Sequence, residues 1–98
     1  MAKYVLLYQG GSQPQTSEEG EKVMADWMAW FAKGGSAVLD MGNAFAEESA
    51  VGSGSAPSGV NGYSVVEGDS LDAVTGMLGD HPHLKAGGRI EVHATAQM

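Results

Sequence analysis

Two periods of apolar residues divide this chain. Residues 3–8 form a short apolar run, Tyr4 to Tyr8 after Lys3, closed by Gln9, Gly10 and Gly11. Such a run predicts a strand buried on both faces, and hence a central one. Regular pleating would put Tyr4, Leu6 and Tyr8 on one face and Val5 and Leu7 on the other. The period then changes. Val23, Met24, Trp27, Met28, Trp30 and Phe31 recur at helical spacing. Thr16 followed three residues later by Glu19 matches a capping box, and Gly34 with Gly35 supplies a stop, so a helix is predicted over 17–33.

The second half repeats the theme. Residues 37–41 read as a strand interrupted by Asp40 and ended by a turn at Gly42. Residues 63–67 read as a third strand. Asp69 or Ser70 caps a second helix with Leu71, Val74, Met77 and Leu78 inward, and Pro82 ends it. Residues 89–95 read as the last strand, with Ile90, Val92 and Ala94 alternating against Glu91, His93 and Thr95. Between strands two and three lies a Gly- and Ser-rich loop, 44–62, longer than a hairpin connection. It reads as a mobile flap or a solvated connection, with an edge strand as an option at 49–51.

This order predicts an α+β fold of the ferredoxin-like kind, βαββαβ, with a four-stranded antiparallel sheet. Right-handed crossovers put both helices on one face. The other face must then be polar or meet a partner. Tyr4, Leu6 and Val66 are assigned there, and they are not polar. A homodimer with sheet facing sheet follows.

Pleating also gathers the polar candidates. If Leu39 and Met41 face the helices, Asp40 turns to the opposite face with Val38. With Ile90 and Val92 toward the helices, Glu91 and His93 turn the same way as Asp40. Tyr8 and Ser64 join them. The predicted site is therefore Asp40 as acid or base with His83 assisting, and Tyr8, Asn43, Ser64, Glu91 and His93 as ligand-binding groups. A buried polar group is costly unless water or a ligand reaches it, which favours a pocket there. The bland alternative puts Glu91 and His93 on a solvated edge strand. His81 is read as a charge at the end of helix two, and His83 as bonding carbonyls in the turn or facing the cleft.

Composition removes several function classes. The 98 residues suit one domain, 1–98. With no Cys and only scattered acids, His81 and His83 lack the further ligands of a zinc site, and no metal is expected. No cofactor motif is present either, because no helix start follows the loop glycines. Ser53, Ser55 and Ser58 sit in the loop without a base at fixed spacing. A net charge of −7 argues against direct nucleic-acid binding. The apolar start is too short to span a bilayer or serve as a secretory signal, so no membrane partner is expected and the expectation is a cytoplasmic protein.

Several stretches carry a family resemblance. They are the run at 3–8, Trp27 and Trp30, Gly35, DMGNAF at 40–45, GYSVVE at 62–67, LDAV at 71–74, and PHLKAGGRIEV at 82–92. In this order and spacing they resemble the YCII-related family, its DGPF-like group included, over nearly the whole chain. The resemblance implies a ferredoxin-like fold paired into dimeric α+β barrels, with a small-molecule site in a cleft by the dimer interface. It also implies that some relatives work with extracytoplasmic-function sigma factors and that one branch is a dehydrochlorinase. Two departures stand out. The position matching the family's helix-one His is Met24, or Val23 if Gly34 is the anchor. The Asp-Gly-Pro-Phe motif is absent, with Asn43, Ala44 and Phe45 as its nearest counterpart. Neither Met nor Val transfers protons, so a homodimeric binding, accessory or regulatory module is favoured. The alternative is a small enzyme using Asp40 with His83 or His93 on a small organic substrate.

Overall fold

The computed structural model describes residues 2–54 and 58–96 of the chain, so the reading of Ser55 lies outside the described residues. Among these, the elements run β1 (Ala2–Gly10), α1 (Ser17–Gly34), β2 (Val38–Asp40), β3 (Val60–Gly68), α2 (Leu71–Gly76), α3 (Pro82–Lys85) and β4 (Gly88–Ala94). A 3-10 turn, Gly35–Ala37, joins α1 to β2. The fold is α+β, with a four-stranded antiparallel sheet in the order β2-β3-β1-β4 and three helices. No helix among the described residues is long and apolar enough to cross a membrane.

The α1 ends follow the local chemistry of the sequence. The Glu19 N–H donates to the Thr16 hydroxyl oxygen at 3.1 Å. The reciprocal bond falls one residue early, from the Gln15 N–H to the Glu19 carboxylate at 2.9 Å. At the other end Gly35 has a φ of 56°, and its N–H reaches the Phe31 carbonyl.

Helix two is shorter than its apolar spacing suggests. The Ala73 N–H donates to the Ser70 hydroxyl oxygen, but the helix ends at Gly76. Gly76 and Gly79 each weaken helix by about 1 kcal/mol relative to Ala. Pro82 therefore does not end this helix. It opens α3 at the first helical position, where its missing N–H costs nothing. Leu71 is exposed, while Val74 and Leu78 are buried. No strand forms at 49–51, and Val51 is 95% exposed. Residues 60–62, expected in the loop, belong to β3.

The largest correction concerns the faces of the sheet. Tyr4, Leu6, Tyr8 and Val66 form the core with Trp30 and Phe31 of α1, and with Val74 and Leu78 beside them. They lie under the helices, not on the uncovered face. Register fixes this: Leu6 stands opposite both Ser64 and Val92, so all three share a face. Both alternating sets of β1 are apolar, and pleating alone does not choose between them. The aromatic set fills more volume and takes the helix side. Leu39 and Met41, expected toward the helices, are exposed. A register shift between Val38 and Asp40 lets Val38 pack on the core while Asp40 stands opposite Val65 on the uncovered face.

Candidate functional site

The sheet separates the polar candidates into two groups. On the helix side lies a directed chain of hydrogen bonds. His81 is fully buried and caps α3: its Nδ1 accepts the His83 N–H at 3.0 Å. With Nδ1 occupied as an acceptor, neutral His81 carries its proton on Nε2. Nε2–H points to the Tyr8 hydroxyl at 3.4 Å. Tyr8 donates to the Ser64 hydroxyl at 2.7 Å, and Ser64 donates to the Met41 carbonyl at 2.8 Å. Strands β1 and β3 and the cap of α3 thus share one polar thread through an apolar core.

Aromatic rings surround this thread. Trp30, Trp27 and Tyr8 place their ring centroids 4.4, 4.7 and 5.3 Å from that of His81. Burial pushes the His81 imidazole down to about 4, helped by neighbouring His83 and opposed by Asp80. Burial also pushes the Tyr8 phenol up to about 12, against the lowering effect of its bond to Ser64. Both shifts favour the neutral forms that the hydrogen bonds require. His81 is therefore not the charged end of helix two. The readable signal was the pair His81–Pro82, a cap residue followed by Pro at the first helical position.

His83 is buried beside this group. Its Nε2–H donates at 2.9 Å to the carbonyl of Gln9 in β1, not to a carbonyl of its own turn. The imidazole lies against the backbone of Gly88, where a Cβ would overlap it. The glycine makes the space.

The uncovered face carries the second group. Asp40 Oδ1 accepts the Gly42 N–H at 2.8 Å, and Oδ2 accepts the Tyr63 hydroxyl at 3.4 Å. Phe45 stacks on Tyr63 with centroids 5.8 Å apart. The turn that aims Asp40 depends on Gly42, whose φ is 76° and whose Cβ would overlap the Tyr63 carbonyl. Asn43 contributes its backbone carbonyl, which accepts the Tyr63 N–H at 3.2 Å. Across the sheet, Glu91 bonds His93 Nε2 at 2.7 Å and lies 3.7 Å from Arg89.

The predicted site residues therefore divide. Asp40, Glu91 and His93 share the uncovered face, whereas Tyr8 and Ser64 lie on the helix side with His83. One protomer does not bring Asp40 and His83 together. On the uncovered face, between Asp40 and the Glu91–His93 pair, run Val5, Leu7, Tyr63 and Val65, all half-buried with no element over them among the described residues. A shallow groove of about 540 Å³ lies elsewhere, between the β1–α1 loop and α1, lined by Gln13, Glu19, Lys22 and Asp26 among others. Among the described residues, no three His, Asp or Glu side chains gather as a metal-ligand set. Comparison with protein-family models and with curated proteins finds no match to this chain.

Proposed function

We propose that this chain is a small-molecule-binding module, accessory or regulatory in role, that works as a homodimer. In this reading the fold is ferredoxin-like, the two sheets face each other as an α+β barrel, and the pocket lies by their interface. This is the arrangement that the YCII-related resemblance implies. The observation that carries the reading is the uncovered sheet face, apolar at Val5, Leu7, Tyr63 and Val65 and charged at its two edges.

The enzyme reading keeps one supporting observation, that Asp40 and His93 share a face, with His93 rather than His83 as the partner of Asp40.

Sedimentation at micromolar concentration is expected to give the mass of two chains. A thermal-shift screen of small organic molecules is expected to find stabilising compounds whose effect disappears in Asp40→Ala. A monomeric protein would overturn the barrel reading, and hits indifferent to Asp40→Ala would remove Asp40 from the site.

A further inference from the structure

The uncovered face is ordered in rows. Asp40 stands opposite Val65, Val65 opposite Val5, and Val5 opposite His93. These four residues form one line across the sheet, acid at the β2 edge and imidazole at the β4 edge. The next row holds Tyr63, Leu7 and Glu91, and the row on the other side holds Glu67 and Lys3. Strands lie about 4.8 Å apart, so three spacings separate Asp40 from His93 by about 14 Å. No bond joins them within one protomer.

We infer that Asp40 of one subunit meets His93 of the other, so that each candidate acid–base site is built from two chains. This inference rests on the homodimer proposed above. In the aligned class of face-to-face packing, two sheets keep their strands within about 30° of each other and lie about 10 Å apart. A two-fold axis lying between the sheets runs either along the strands or across them.

An axis along the strands exchanges β2 with β4 and β3 with β1 while keeping each row in place. Val65 then covers Val5, Tyr63 covers Leu7, Glu67 covers Lys3, and Asp40 covers His93. Val65, Val5, Tyr63 and Leu7 then meet apolar residues, Glu67 meets Lys3 and Asp40 meets His93, while Glu91 meets no cation because β2 ends at Asp40. The summed reach of the Asp and His side chains suits the gap between sheets. His93, already bonded to Glu91, would then lie between two carboxylates from different subunits.

An axis across the strands also covers the apolar centre if it passes between the first two rows. It sets β2 on β2, β1 on β1 and β4 on β4, however, which brings His93 over Glu91 but leaves Asp40 over a strand with no cation and moves Lys3 and Glu67 away from each other. Complementary charge fixes register and excludes wrong pairings at interfaces of this kind. Two complementary contacts, Asp40 with His93 and Glu67 with Lys3, against one, His93 with Glu91, favour the axis along the strands.

The absence of native Cys makes the test direct. Chains carrying Asp40→Cys and chains carrying His93→Cys, differently tagged, are mixed and treated with a bis-maleimide of about 10 Å span, the sheet-to-sheet distance. The expected product is a cross-link between the two tags, absent when either variant is treated alone. Self-cross-linking of Asp40→Cys would overturn the inference while leaving the dimer intact. A wild-type monomer would overturn both the inference and the homodimer. A second measurement uses charge reversal: Asp40→Lys is expected to weaken the dimer and His93→Glu in the same chain to restore it. Failure of restoration in a folded double variant would also overturn the pairing.

Discussion

His81 Nδ1 accepts the backbone N–H of His83 at 3.0 Å, and this bond decides the protonation of the buried core. It leaves Nε2–H for Tyr8 and gives the chain to Ser64 its direction. Protonating Nδ1 would break the cap of α3 and place a charge among Trp27, Trp30 and Tyr8.

Acid should therefore destabilise the protein through this residue. The folded-state value of His81 is about 4, below the ordinary 6.5. Below pH 6.5 the unfolded chain takes up a proton that the folded chain refuses, so the contribution is full above 6.5, falls between 6.5 and 4, and levels off below 4. Melting temperature measured across this range should drop in the wild type and drop less in His81→Gln. In wild-type NMR spectra the His81 ring signals should stay in their neutral position down to about pH 5. A ring that titrates near 6.5 would contradict the buried cap.

Breaking the thread at either hydroxyl should cost stability. Tyr8→Phe removes the acceptor of His81 Nε2–H, and Ser64→Ala removes the acceptor of the Tyr8 hydroxyl. Each leaves a buried donor without a partner, a loss of about 1–3 kcal/mol. The two effects should not add, with a coupling of about 0.5–3 kcal/mol in urea unfolding of the double variant. Additive losses would mean that the two hydroxyls act separately.

Gly42→Ala should damage β2 specifically. Positive φ costs an ordinary residue about 1–2 kcal/mol, and overlap with the Tyr63 carbonyl adds to that. Hydrogen exchange should show amides of β2 and the facing part of β3 losing protection before those of β1. Uniform loss across the sheet would show that Gly42 matters globally rather than at the Asp40 turn.

The proposed dimer predicts a fourth outcome. Leu7→Lys or Val65→Lys places a charge in the apolar middle of the uncovered face without touching the helix-side core. Each should raise the dissociation constant at least about tenfold, about 1.4 kcal/mol, with an unchanged far-ultraviolet circular dichroism spectrum. Dimers as tight as the wild type would move the interface elsewhere.

Much of this protein was readable one element at a time. Thr16 and Glu19, Ser70, Gly35 and the alternation at 89–95 each act over a few residues, so their local chemistry places α1, α2 and β4 without knowledge of the rest. The helix-side chemistry was not readable that way. Tyr8, Ser64 and His81 are 56 and 73 residues apart in the relevant pairs, and nothing local marks them as partners.

The sequence by itself determined the alternation of strands and helices, the capped ends of α1 and the opposite orientation of Glu91 and His93 from Ile90 and Val92. Only the tertiary structure decided which face of β1 meets the helices. Both faces are apolar, and a strand that is hydrophobic twice over carries no sign of its own. The choice falls to register, where Leu6 opposite Ser64 and Val92 commits three strands at once, and to volume, because the tyrosine-bearing set fills the space beneath Trp30 and Phe31.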